Sequence, residues 1–497
     1  MTDRNSLKTI AKNASFNFFG SLIPLLIALS TIPIIISKLG TDKFGVLNLS
    51  WIVIGYFGFF DLGIGRALTK IIAEKIGLSQ SSEIPAYFWT SFLLVFVFSS
   101  ILAICLYFFS EKIILNFFKI PVEIQIETVR SFNLLILAIP IVSTSAGIRG
   151  LLEAYQRFDI INVIRTFLGA LSFLIPVLVL MFTTNLYWII FFLVLTRLLF
   201  WLIFLISSFY VNPEIFFKLR INKNLIKPIF RLSSWMTLSN ITVPVITYSD
   251  RILVASLISA TALTYYATPY EIITKMLIIP SALTAVLFPT FAANYLNDPS
   301  SAVTLSDKAM KYLAIILFPI ISIILVFSYD FLKIWLGEDF ALNSYQILQL
   351  LSIGIFFNSL AFIPFSFIEG IGRPDVTAKI QLIELPIYIL LLWFTIRMGG
   401  IYGASIAFFA RMFIDFLILV YFSKKVAGLK FRFNFNKRTI YLLSFIIFLS
   451  LIVYIPFIIL KILFLSLFMV FFLTYAWKYL LDVSDKYYIK SLLKFNR

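Results

Sequence analysis

Long apolar runs separated by short polar stretches occupy nearly the whole chain. They fall at approximately 14–36, 45–68, 86–109, 128–150, 160–183 and 185–210, then at 230–258, 262–291, 310–329, 345–368, 377–398, 401–422, 439–459 and 462–481. Each can cross a bilayer as a helix, since about 20 residues at ~1.5 Å rise span ~30 Å of hydrocarbon. A β-barrel would show short alternating segments instead of continuous runs. The pattern predicts an all-α polytopic membrane protein with about fourteen transmembrane helices. Polar breaks near 211–229 and 423–438 divide these six, six and two, giving expected units at 1–211, 212–423 and 424–497.

Composition agrees: 61% of the 497 residues are hydrophobic and 13% charged, more apolar surface than a water-soluble chain of this size needs. Met1 to Lys12 is polar and the next run continues as a full span, so no cleavable signal is expected. Cys105 is the only cysteine and histidine is absent. That excludes a disulfide framework, Ser-His-Asp or Cys-His catalysis and the usual zinc sites. No G-x-x-x-x-G-K-[ST] stretch occurs, so the chain carries no Walker-type ATPase. Neither an enzyme nor a cofactor is expected.

The net charge of +17 would suit nucleic acid, but its placement points elsewhere. Basic residues crowd the breaks on the side of the termini, as in Arg66–Lys75, Arg149 and Arg157, Lys218–Arg231 and Lys424–Arg438. The opposite side holds only Lys38, Lys43, Lys112, Lys119, Arg130, Lys333, Arg397 and Lys461. This bias predicts cytoplasmic termini, with anionic headgroups rather than nucleic acid as the neighbours of the surplus charge. No outward break exceeds about 20 residues.

The remaining basic residues, Arg165, Arg197, Arg251, Lys275 and Arg411, lie inside predicted spans. Intramembrane charge costs a few kcal/mol per residue on insertion scales, so such groups turn toward protein, water or cargo. The stretch Ser233–Ile258 concentrates the problem, carrying Asp250 and Arg251 after Asn240 and Pro244. Arg411 has Asp415 one turn away and Lys275 has Glu271, so each could be a neutralised pair. Arg165 and Arg197 have no acid nearby in sequence. Prolines 24, 33, 140, 176, 244, 280, 364 and 386 are expected to kink spans.

An internal repeat is visible. Glu153, Arg157 and Asp159 form E-x-x-x-R-x-D after the fourth span, and Glu369, Arg373 and Asp375 repeat it after the tenth. The junction 38–46 aligns more loosely with 259–265, and Pro24 with Pro244. A duplication of six spans keeps both copies in one orientation, around an axis along the membrane normal. The two motifs fit a cytoplasmic gate, or equally an ordinary i,i+4 helix pair facing water.

These residues carry a resemblance. Lys38–Leu47, Asp61-Leu62-Gly63, Ser249-Asp250-Arg251 followed by Tyr265-Tyr266, Gly372-Arg373-Pro374, and Gly400–Ala407 ahead of Arg411 match polysaccharide-biosynthesis flippases. Over roughly residues 7–425 the chain resembles the Wzx-type O-antigen or capsule-unit flippases of the MOP superfamily, relatives of lipid II flippases and MATE exporters. Thr264 stands where that family commonly has Gly, which is expected to alter a turn. The resemblance implies two six-helix lobes in a V with two further helices, in a bacterial inner membrane. It implies an undecaprenyl-diphosphate-linked glycan as cargo, moved by an ion gradient, with a glycan polymerase and a chain-length regulator as candidate partners besides membrane lipids.

A diphosphate in low dielectric needs basic donors, so Arg197, Arg411, Arg251, Arg165 and Lys275 are the candidate cargo-binding residues. Glu384, Asp61, Asp250, Glu271 and Asp415 are candidates for ion coupling, Glu384 first because no base lies near it. A MATE-like exporter and a lipid II flippase remain open. A membrane glycan polymerase or glycosyltransferase is disfavoured, since the outward stretch 110–127 has Glu111, Glu123 and Glu127 but no D-x-D pair.

Overall fold

In the computed structural model the described residues are 23–56, 61, 63–297, 299–428, 452, 454–481 and 486. Among them the chain is helical with short connections and has no strand. The helices are α1 Ile23–Leu39, α2 Thr41–Tyr56, α3 Ile64–Gly77, α4 Ile84–Phe117, α5 Val122–Leu137, α6 Ile139–Ala154, α7 Phe158–Val179 and α8 Leu186–Val211. After the short α9 Pro213–Phe217 come α10 Ile226–Leu257, α11 Ala260–Ile273, α12 Ile278–Asn297, α13 Pro299–Leu336, α14 Glu338–Gly370, α15 Pro374–Val426 and α16 Ile458–Tyr475. The all-α polytopic expectation holds.

Among the described residues eight helical stretches are long and apolar enough to cross a membrane, and some expected spans are interrupted. The run 128–150 becomes α5 and α6, parted at Ala138 just before Pro140, whose ring removes a backbone donor. The run 262–291 becomes α11, a 3₁₀ turn at Thr274–Leu277 and α12, with Pro280 in the first turn of α12. The runs 377–398 and 401–422 are the two halves of α15, parted at Gly399 and Gly400. Gly400 sits at φ 57° and ψ −137°, in the mirror-β region that glycine enters freely and residues with a Cβ avoid. The run 439–459 lies largely outside the described residues.

The stretch 45–68 differs most from its expected form. The run holds parts of two helices, α2 ending at Tyr56 and α3 starting at Ile64, with the buried Asp61 between them in sequence. Gly63, left-handed at φ 67°, starts α3, which continues as helix to Gly77. Lys70, Glu74 and Lys75 had lowered the local hydropathy and concealed this continuation.

The described residues form two compact units, one within 1–267 plus 381–401, the other within 268–380 plus 402–497. In the first, α3, α4, α6, α7, α8 and α9 share a core that includes Leu68, Phe88, Leu151, Ile164, Phe204 and Ile215. Helices α3 and α6 cross closely because small residues face each other. A Cβ on Gly150 would lie 2.6 Å from Gly65 O, and one on Gly65 would lie 3.1 Å from Ala146 O. In the second unit α13 packs along α14, and Phe472 of α16 stacks on Phe318 of α13 at 4.3 Å.

The aligned junctions 38–46 and 259–265 pack on one another within the first unit. Gly45 is needed there, since a Cβ would stand 1.9 Å from Ala260 O. Thr261 donates to Asp42, and Thr264 Oγ1 donates to Thr41 O at 2.7 Å. Thr264 therefore alters no turn. It is buried inside α11 and ties that helix to the α1–α2 turn.

Candidate functional site

A cavity of about 330 Å³ opens inside the first unit, lined by Ile54 and Gly55 of α2 and, at helical spacing, by three further helices. α6 offers Val142, Ser145, Ala146 and Arg149, α7 offers Arg165, Leu168, Gly169 and Ser172, and α8 offers Arg197, Phe200, Trp201 and Phe204. Each set follows the i, i+3/i+4, i+7 stripe of one helix face. The Gly65–Ala146–Gly150 crossing fixes the α6 face, and Trp201 Nε1 donates to Thr144 Oγ1 at 3.0 Å. Gly169 lets Pro24 of α1 approach α7, as a Cβ there would lie 3.0 Å from the proline ring.

Three arginines and no acid line this cavity. Arg149 contacts Glu153 at 3.4 Å, one turn along α6. Arg165 and Arg197 make no ion pair or hydrogen bond among the described residues. A guanidinium donates five N–H bonds and accepts none, so converging guanidiniums suit an oxyanion with several acceptor oxygens.

Arg251 takes a different place. It is buried on α10, donates to Thr247 O at 2.9 Å and stacks over the Tyr248 ring at 4.4 Å. Adjacent side chains leave a helix about 100° apart, yet Asp250 Oδ1 comes within 3.6 Å of Arg251 Nε. The same oxygen accepts the Arg251 backbone N–H at 2.7 Å, and Tyr266 donates to the other at 2.7 Å. This network joins α10 to α11. Asp61 is also buried and accepts the Gly63 N–H at 2.8 Å, closing the turn into α3. Glu384 is half-buried on α15.

In the second unit, Lys275 lies in the 3₁₀ turn with Nζ 3.4 Å from Glu271 Oε2. Arg411 and Asp415 are half-buried one turn apart on α15. The structure thus brings Arg165 and Arg197 into one cavity and gives Arg251 and Lys275 acidic neighbours.

The repeated motifs share one geometry. Arg157 Nε and Nη2 donate to the two oxygens of Asp159 at 3.0 and 2.9 Å, and Arg373 does the same to Asp375 at 2.9 and 3.2 Å. Before each arginine the helix ends identically. Arg157 N donates to Leu152 O and Gln156 N to Glu153 O, matched by Arg373 N to Ile368 O and Gly372 N to Glu369 O. Gln156 and Gly372 take the left-handed conformation this ending requires, at φ 57° and 80°. That turn carries Arg157 off the helix, so the i,i+4 pairing with Glu153 does not form and Glu153 reaches Arg149 instead. The hydrogen bond to its aspartate is the main cause holding each arginine, 157 and 373, above its ordinary pKa.

Two features escaped the sequence reading. Arg149 was assigned to a cytoplasmic break but lines the cavity. Lys461 was assigned to the outward side but is buried on α16 with Nζ 2.5 Å from Asp330 Oδ2 on α13.

Comparison with known proteins is consistent with these observations. Residues 39–343 match the family described as "Polysaccharide biosynthesis protein". A Shigella flexneri protein named "Putative O-antigen transporter" is 32% identical over 412 residues, covering 83% of this chain and 97% of that one. The lipid II flippase MurJ in an inward closed conformation superposes with TM-score 0.71 at 15% identity, covering 94% of this chain and 99% of that one. An inward-facing MATE multidrug transporter of the MOP superfamily superposes with TM-score 0.70 at 12% identity, covering 84% and 98%. The chain is a multi-pass membrane transporter of MOP fold, not an enzyme, and it belongs to the polysaccharide biosynthesis protein family.

Proposed function

We propose that the chain flips an undecaprenyl-diphosphate-linked oligosaccharide from the cytoplasmic to the periplasmic leaflet of a bacterial inner membrane. The observation that carries this reading is the cavity in which Arg149, Arg165 and Arg197 converge without an acid on the lining. Taking a phosphate out of water costs several kcal/mol per ion. Charge-assisted hydrogen bonds contribute about 1.5–3 kcal/mol each, so two or three from these guanidiniums offset that cost. A cationic drug entering the same cavity would meet like charge, which disfavours the MATE-type alternative. The 32% identity to the Shigella flexneri protein named for O-antigen transport supports a glycan cargo.

In this reading both termini are cytoplasmic, and two six-helix lobes, 1–211 and 212–423, alternate access to the site. The bound glycan passes on to a polymerase and its chain-length regulator. Ion coupling falls to a membrane carboxyl among Glu384, Asp61, Asp250, Glu271 and Asp415. Glu384→Gln abolishing gradient dependence would assign it, and unchanged dependence would remove Glu384 from the set. The function is tested by deleting the gene and assaying lipid-linked glycan by leaflet. The expected result is intact units trapped on the cytoplasmic side and surface polysaccharide lost. Normal surface glycan with altered drug tolerance would overturn the proposal.

A further inference from the structure

The first unit carries a second polar cavity, about 720 Å³, at the end marked by the α1–α2 turn. Its place is fixed by Lys43, which pairs with Glu127 at 2.8 Å and donates to Thr184 O at 3.1 Å. Glu127 also accepts the Leu186 N–H, so its oxygens are occupied in holding α5 to the start of α8. Other wall groups are not engaged in this way. On α5, Glu123 and Arg130 lie two turns apart on one face, and neither makes an ion pair or hydrogen bond among the described residues. Asn133 accepts from Ser110 at 2.5 Å through its oxygen, which leaves its amide as a donor. Facing them are the rings of Tyr107, Tyr187 and Trp188, with Tyr107 and Trp188 45% and 46% exposed.

Planar polar side chains opposite exposed aromatic rings make a surface suited to a sugar. Vicinal hydroxyls, each donor and acceptor, pair with carboxylate, guanidinium and amide edges, while the C–H face of the ring lies on an aromatic face. Trp188 also borders an apolar groove of about 480 Å³ formed with Ile175, Leu178, Phe182 and Phe192. A polar cup that shares a wall with an apolar groove matches an amphiphile with a sugar head and a hydrocarbon tail.

We infer that this cup and groove are a second cargo site, which takes the saccharide and adjoining lipid chain of the flipped product at the extracytoplasmic end. The inference rests on the flippase reading above and adds a station distinct from the arginine cavity, since the two share no lining residue.

The test uses purified full-length protein in nanodiscs and two probes. One is the oligosaccharide released by mild acid from the host's own lipid-linked pool, the other geranyl diphosphate. Trp188→Ala and Arg130→Ala change exposed side chains that hold no other element. Each is expected to weaken oligosaccharide binding at least tenfold and leave geranyl diphosphate binding unchanged, while Arg197→Ala does the reverse. Equal oligosaccharide binding by wild type and both cup variants would overturn the second site. So would displacement from the cup by phosphatidylglycerol but not by the oligosaccharide, which would make it a phospholipid anchor. Either result leaves the flippase reading standing if geranyl diphosphate still binds through Arg197. Loss of that reading would appear separately, as wild-type protein binding neither probe.

Discussion

Lys461 on α16 and Asp330 on α13 form a buried ion pair, 2.5 Å apart and separated by 131 residues of chain. Lys461 is 2% exposed, so its ammonium depends on this carboxylate for charge compensation. The pair and the Phe318–Phe472 stack together dock α16 onto α13. Lys461→Ala would leave a half-buried carboxylate without its counter-ion, a change that costs less than the ~3–5 kcal/mol of a fully buried pair because water still reaches Asp330. The expected outcome is a marked fall in thermal stability of the purified protein, partly restored when Asp330→Ala is added. An unchanged midpoint for Lys461→Ala would show that the pair does not hold α16.

Gly45 and Gly150 are close-approach positions rather than turn residues. Gly45→Ala places a methyl within clash distance of Ala260 O, and backbone must move to admit it. We expect poor yield and lower thermal stability from Gly45→Ala, and a similar loss from Gly150→Leu, which wedges α3 from α6. Gly77→Ala, where a Cβ meets nothing within 4 Å, is the control that should be tolerated.

The paired helix endings give opposite predictions at equivalent positions. Gln156 holds a left-handed conformation that costs an L residue about 1–2 kcal/mol, and Gly372 holds it without that strain. Gln156→Gly should therefore be neutral to slightly stabilising, and Gly372→Val destabilising. Thermal unfolding of the two variants side by side checks the sign. A destabilised Gln156→Gly would mean that its side chain matters more than its backbone.

Thr264 is the third case. Its hydroxyl bond to Thr41 O has a net worth of about 0.5–1.5 kcal/mol, and Gly in a helix interior is only about 0.3 kcal/mol worse than the β-branched Thr. Thr264→Gly, which restores the residue common in the family, should lower stability by roughly the sum of these. Stability equal to wild type would show that the α1–α2 turn does not rely on this tie.

The fold was legible because bilayer crossing leaves so few solutions, and the apolar runs reported them directly. Interrupted spans were harder. Gly399-Gly400 read as a boundary, but Gly63 concealed a helix start because the charged residues of α3 follow it. At the site, Arg165 and Arg197 were legible from the lack of any acid within one helical turn, a local property. Arg149 was not, because the end of a span and the wall of a cavity look alike in one dimension. Lys461 and Asp330 were illegible for a related reason, since each partner lies far away in sequence. Arg251 stood out as a charge, but its role in joining α10 to α11 depends on Tyr266 and on a carboxylate folding back along its own helix.

The central claim is that the arginine cavity handles the charged part of a lipid-linked glycan. The most direct measurement is the leaflet distribution of that glycan in a deletion strain complemented with wild-type protein or with the Arg165→Ala Arg197→Ala double variant, at matched membrane levels. The account predicts glycan held on the cytoplasmic side with the double variant, with outward transfer reduced at least tenfold relative to wild type. Wild-type transfer by the double variant would contradict it.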